Sequence, residues 1–240
     1  MSHSDNTSAN RPHDQLPLGF AHDASTSRDD LVVSDPVSQA IRLIDDWPTW
    51  PSPVTILAGP TGSGKTHLAN IWRERACAVA ITVRPGDVNS LKAAESSPVL
   101  VEDIDRTGFD QTLLFHLLNT VQQHRTSMLV TSRIWPAGWP VDLPDLRSRL
   151  KAATVVEIGE PDDELLARVI VKLFADRQLA VDEKVVSYLV NRMERSLDAA
   201  QLIVHRMDHL ALSRGSRINR RIAAEVLQEL EDRDHHEDVL

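Results

Sequence analysis

Residues Gly59 to Thr66 read Gly-Pro-Thr-Gly-Ser-Gly-Lys-Thr, which sets Gly59, Gly64, Lys65 and Thr66 at the spacing G-x-x-x-x-G-K-[S/T]. The segment follows the apolar run Val54-Thr55-Ile56-Leu57-Ala58 and precedes Leu68-Ala69-Asn70-Ile71-Trp72. That order is strand, loop, helix. Glycines let successive backbone N–H groups turn inward around phosphate oxygens, and the following helix N-terminus adds partial positive charge. Gly59, Pro60, Thr61, Gly62, Ser63, Gly64, Lys65 and Thr66 are therefore the expected nucleotide cradle. Lys65 is expected to reach the β- and γ-phosphates, and the Thr66 hydroxyl to ligate Mg²⁺. The expected ligand is a nucleotide such as ADP or ATP, and the motif does not distinguish them.

A fold built on this loop needs a parallel sheet, and the rest of the chain supplies one. Strand candidates are Val54–Ala58, Ala78–Val83, Val99–Val101, Met128–Thr131 and Thr154–Ile158, separated by amphipathic stretches such as Leu113-Leu114-Leu117-Leu118-Val121. This alternation predicts an α/β fold, a parallel five-stranded sheet flanked by helices, with the ligand at the carboxyl ends of the strands. Asp35-Pro36 predicts a helix start ahead of the first strand. After Ile158 the pattern is helical only, with starts at Pro161-Asp162, Asp182, Ser196 and Asn219. The expected organisation is a mostly disordered tail over 1–30, a nucleotide-binding core over 31–159, a small all-helical lid over 160–230 and a frayed acidic tail over 231–240.

Composition sets limits. The chain has 240 residues, 42% of them hydrophobic and 25% charged, with a net charge of −9. An acidic chain is a poor autonomous reader of duplex DNA, so direct DNA binding is expected to be weak or absent, and Arg214, Arg217, Arg220 and Arg221 read as a solvated face. The single Cys77 allows no internal disulfide and reads as core filler. No apolar run is long enough for a membrane span, and Met1–Asn10 lacks a signal core, which points to a cytoplasmic protein. His235-His236 on the acidic tail reads as solvated rather than as a metal site. Trp47, Trp50, Trp135 and Trp139 fall in Pro-containing loops and read as edge packing.

Further residues complete the nucleotide machinery. Val99-Leu100-Val101 ends in Glu102 and Asp103, one acid for Mg²⁺ through water and one to orient attacking water. Glu102 is placed on the metal side and Asp103 on the water side, with the exchanged assignment left open. Arg149, in Leu146-Arg147-Ser148-Arg149-Leu150, lies between the fourth and fifth strands and suits a guanidinium offered to a neighbour's γ-phosphate. Arg195 opens the third lid helix and is placed to reach back to the nucleotide.

Together these segments resemble the AAA+ ATPases, and most closely the branch of the replication initiator DnaA. Residues 146–150 resemble that branch's Leu-x-Ser-Arg-Phe box, which makes Arg149 the arginine finger. Glu160-Pro161-Asp162-Asp163-Glu164-Leu165 resembles its entry into the lid, and Arg195-Ser196-Leu197-Asp198-Ala199-Ala200 its sensor-2 segment. Arg133, with Ser132 beside it, stands where the branch carries a polar sensor-1 residue, a departure that implies weak intrinsic hydrolysis. The chain reads as lacking the initiator's DNA-reading domain, and in this it resembles regulators of the Hda type. Gln15-Leu16-Pro17-Leu18-Gly19-Phe20 resembles the peptide that docks on the DNA sliding clamp, with Gln15, Leu16, Leu18 and Phe20 as its contacts. The resemblance implies a negative regulator of replication initiation whose partners are the sliding clamp and DnaA, and whose AAA+ domain is also able to self-associate. An autonomous ATPase that loads a helicase is the alternative.

Overall fold

The computed structural model describes residues 35–106 and 108–237. The clamp-like peptide Gln15–Phe20 lies outside them, as do the side chains of His235 and His236.

Five parallel strands form one sheet in the order β2-β3-β4-β1-β5. They are β1 (Val54–Ala58), β2 (Val79–Ala80), β3 (Val99–Val101), β4 (Met128–Ser132) and β5 (Thr154–Glu157). β1 pairs with β4 from Val54 opposite Met128 to Ala58 opposite Ser132, and on its other side with β5. Every residue of β1 is buried, as a central strand covered on both faces requires.

Strand side chains alternate between faces, and the core follows that alternation. Ile56, Val99, Val101, Met128 and Val130 join a cluster with α3 (Val88–Ser96), α4 (Gln111–His124) and α5 (Pro144–Lys151). Leu57, Leu100 and Leu129 point the other way, against α1 (Asp35–Asp46) and α2 (Lys65–Ala76). The helix that follows the phosphate loop and the helix that carries Arg149 therefore cover opposite faces of the sheet. α4 shows how locally this is encoded. Asp110 caps it by accepting from the Leu113 N–H at 2.9 Å, and Leu113, Leu114, Leu117, Leu118 and Val121 form its buried stripe.

α6 (Asp163–Asp176), α7 (Glu183–Val190), α8 (Leu197–Ser213) and α9 (Arg220–Glu237) pack around a core of their own that includes Phe174, Leu189, Val204 and Met207. Asp162, Asp182, Ser196 and Asn219 cap them as the sequence predicts.

Three expectations need correction. The second strand has two residues rather than six. Its partner β3 is itself only three residues long, so the ladder ends soon after the Ile81 N–H reaches the Leu100 carbonyl. Cys77 is exposed rather than core filler. It is the left-handed C-cap of α2, one position past the last buried residue, Ala76. The acidic tail does not fray from 231, because α9 continues to Glu237, with Leu230 packed against the lid core. No helix among the described residues is long and apolar enough to cross a membrane.

Leu117 lies fully buried on α4 at the centre of the face that supports α5. Leu117→Ala is expected to cost about 2–5 kcal/mol, read as a lower urea midpoint at unchanged slope.

Candidate functional site

The phosphate loop leaves β1 at Ala58, and its first residue is tied to the neighbouring strand: the Gly59 N–H donates to the Ser132 carbonyl at 3.1 Å. Gly62 and Gly64 take positive φ, 72° and 93°, which lets the backbone curl into the α2 N-terminus. Lys65 is buried, and its ammonium donates to the Gly59 and Pro60 carbonyls at 2.8 and 2.7 Å, inside the ring of the loop. Burial lowers its pKa, and the Asp103 carboxylate is the main opposing influence.

The two acids after β3 take different surroundings. The Thr66 hydroxyl is near enough to the Glu102 carboxylate to favour its charged form, so the cradle's last residue and the first acid are neighbours. Partial desolvation pushes the Glu102 carboxyl up; Arg73 pulls it back, and Asp103 pushes it further up. Asp103 takes a left-handed backbone, φ 44°, held by its N–H donating to Thr131 Oγ1 at 2.8 Å. Its carboxylate lies 3.9 Å from the Arg133 guanidinium. Asp105 fixes that arginine's backbone by accepting from the N–H groups of Arg133 and Ile134. Lys65, Asp103, Arg133 and Asp105 are thus close enough to act on one another electrostatically.

Ser132 does not face the loop. Its hydroxyl is buried, donates to the Ile134 carbonyl and accepts from the Trp139 indole. Of the two residues at the end of β4, only Arg133 is directed toward the acids. Trp139 accordingly acts as a buried strut, whereas Trp135 is exposed. Trp50 stacks on Trp72 of α2 at 5.3 Å and Trp47 meets it edge-on at 6.3 Å.

A nucleotide fits these residues. The Ser63 hydroxyl is buried in the loop with no hydrogen-bond partner, an arrangement that costs free energy until an acceptor or donor arrives. The Thr66–Glu102 pair is an oxygen-rich corner of the kind a Mg²⁺ ion takes.

The lid touches the loop directly. The Leu197 N–H, at the first turn of α8, donates to the Gly62 carbonyl at 2.8 Å. A Cβ built on Gly62 would lie 2.0 Å from the Ser196 hydroxyl oxygen, and one on Gly64 3.1 Å from a Leu197 methyl. Arg195, one residue earlier, does not reach the loop: its guanidinium pairs with Asp163 of α6 at 2.8 Å. Both partners are exposed, so releasing the arginine costs little, about 0–1 kcal/mol. Arg149 stands apart from this group, exposed on α5 and donating to the Gln122 side chain of α4 at 2.6 Å.

Sequence reading missed the Leu197–Gly62 bond, Thr131 as the support of Asp103 and Asp105 as the cap of Arg133. All three join residues distant in the chain, and no local pattern announces them.

Gly62→Ala places a methyl against Ser196 at a φ that L-residues avoid. The expected result is a loss of about 1–3 kcal/mol and faster hydrogen exchange at the Leu197 amide. Unchanged exchange would mean that the lid does not rest on the loop through this contact.

No family model matches the sequence. An uncharacterised protein of Haemophilus influenzae is 23% identical over 158 residues, 60% of this chain and 68% of that protein. Among solved structures, domain III of the replication initiation protein DnaA from Thermotoga maritima superposes with a TM-score of 0.73 at 17% identity, covering 85% of this chain and 96% of that one. AMPPCP-bound DnaA from Aquifex aeolicus gives a TM-score of 0.65 at 19% identity over 86% of this chain and 69% of that one. The Thermotoga maritima RuvB Holliday junction branch migration motor gives 0.67 at 17% identity over 86% and 72%. The chain carries the fold of DnaA domain III.

Proposed function

We propose that this protein is a nucleotide-bound AAA+ regulator that restrains replication initiation by supplying Arg149 to ATP held in the initiator, while docked on the DNA-loaded sliding clamp through Gln15–Phe20. One observation carries the reading. Arg149 belongs to the sheet face opposite α2, is exposed, and has no carboxylate partner among the described residues. A guanidinium so placed faces away from its own phosphate loop and is available to another's.

The chain's own loop binds and holds. Backbone N–H groups of residues 61–66 and the Lys65 ammonium receive the phosphates, and the Ser63 hydroxyl gains the partner it lacks. Thr66 and Glu102 hold Mg²⁺, which supplies charge neutralisation at the phosphates when bound. Asp103 is the acid that would orient water, but its pairing with Arg133 draws negative charge away from that task. Weak intrinsic turnover follows from that pairing. Arg195 exchanges Asp163 for the nucleotide, which couples the angle of the lid to occupancy of the loop. The neighbours with this fold include DnaA bound to AMPPCP, which supports an adenine nucleotide as the ligand.

The test is turnover of initiator-bound ATP in the presence of clamp loaded on DNA. Arginine fingers contribute about 10³–10⁵-fold to a partner's hydrolysis, so Arg149→Ala is expected to return the rate to its unstimulated value. Equal stimulation by wild type and variant would remove Arg149 from the mechanism. Leu18→Ala with Phe20→Ala is expected to abolish clamp binding and leave nucleotide affinity intact. Rapid intrinsic hydrolysis with tight binding to a replicative helicase would instead favour the helicase-loader reading.

Glu102 makes the Mg²⁺ contribution pH-dependent. A carboxylate takes a cation only when ionised, and this one's pKa is raised, chiefly by desolvation. The Mg²⁺-dependent part of nucleotide affinity is therefore expected to fade, as pH drops, before an ordinary glutamate would protonate. In Glu102→Gln it is expected to be small at every pH, as titration calorimetry with and without Mg²⁺ would show.

A further inference from the structure

The lid's arginines divide into two sets. Arg168, Arg177, Arg195, Arg206 and Arg214 each pair with a carboxylate. Arg214 does so through two hydrogen bonds to Glu225, at 2.7 and 2.5 Å. Arg192, Arg217 and Arg220 have no carboxylate within ion-pair distance among the described residues, and all three are exposed.

Two of these converge on one ring. The Arg192 guanidinium carbon lies 4.2 Å from the centroid of Tyr188, and that of Arg220 lies 4.6 Å from it. Cation–π contact holds each guanidinium and lowers the entropy lost when its N–H groups engage a ligand. It also brings two like charges together around one side chain, in a protein whose net charge of −9 offers many acids that are not used here. Arg217 is near them in sequence, three residues before Arg220 and two before the Asn219 cap of α9. The first turn of α9 contains no acid; its Arg221 belongs to neither set, being exposed and near enough to Glu225 to favour that carboxylate's charged form.

The chemistry selects the partner. A protein interface is anchored by an apolar side chain in a desolvated pocket. The large exposed apolar residues of this chain include none on α7, on the link to α8 or in the first turn of α9. The Tyr188 ring is engaged by guanidinium and is a poor platform for a stacked base. What remains is a set of fork-shaped, always-charged donors spaced over a surface, which suits a row of phosphates read without regard to sequence.

We infer that Tyr188, Arg192, Arg217 and Arg220 form a contact surface for the phosphodiester backbone of DNA, on a part of the lid remote in sequence from the phosphate loop. It is a modest, salt-sensitive contact, compatible with an acidic chain because only a few phosphates are engaged. It does not depend on the clamp peptide or on Arg149.

The experiment is fluorescence anisotropy of the full chain with a labelled duplex and with its single strand, across about 50–200 mM salt. Three phosphate contacts predict that duplex affinity falls about 40-fold over that range, and single-strand affinity about 20-fold. Arg192→Ala with Arg220→Ala is expected to bind more weakly at low salt and to lose only about 4-fold in affinity to duplex across the range. Tyr188→Leu keeps every charge but frees both guanidiniums, and is expected to weaken binding without changing the salt slope. Nucleotide affinity equal to wild type in each variant confirms a folded lid. No binding of either DNA at low salt, or a salt slope unchanged by the double substitution, would overturn the proposal. Polyglutamate competing as well as DNA at equal charge would overturn it in favour of an acidic protein partner.

Discussion

The hydrogen bond from the Leu197 N–H to the Gly62 carbonyl joins the two halves of this protein at the place where chemistry is expected. One half presents a loop of backbone amides; the other presents the N-terminus of α8. Ser196 has two tasks at that junction. Its hydroxyl caps α8 by accepting from the Ala199 N–H, and its side chain fills the space that Gly62 leaves open. A change in the loop's curvature must move Ser196, and through it the apolar stripe of Ile203, Val204 and Met207 that organises the lid core. Arg195 sits one residue from this pivot, held by an exposed pair that is easily exchanged.

The sheet solves a second problem, that of placing three charged groups near one another. β3 and β4 are neighbours, so the residues beyond their carboxyl ends meet: Asp103 and Asp105 from one, Arg133 from the other. Thr131, buried inside β4, uses its hydroxyl to hold the Asp103 backbone in a left-handed conformation. A hydroxyl inside a central strand is unusual company for leucine and valine, and it serves the adjacent acid rather than the core. The resulting arrangement sets Arg133 against Asp103 and leaves Glu102 to Thr66. The two acids, adjacent in sequence, thereby acquire different partners.

Much of this was legible from residue order. The Gly59–Thr66 motif and the alternation of apolar runs gave the sheet, and single residues such as Asp162, Asp182, Ser196 and Asn219 marked helix starts correctly because a cap is a local event. The length of β2 was not legible, since a strand ends where its partner does, and that partner lies twenty residues away. Cys77 misled for a related reason: apolar neighbours suggest burial, but the position one past a helix's last inward turn points outward. The roles of Thr131 and Asp105, and the convergence of Arg192 and Arg220 on Tyr188, depend on chain crossings that no window of sequence contains.

The placement of α2 and α5 on opposite sides of the sheet has a geometric consequence. On the proposed reading, one side of the molecule receives a guanidinium and the other donates one. Two different surfaces that meet head to tail cannot form a closed, two-fold pair; such contacts propagate into a ring or an open filament. On that same reading, a domain that completes its neighbour's site leaves its own exposed to the next arrival.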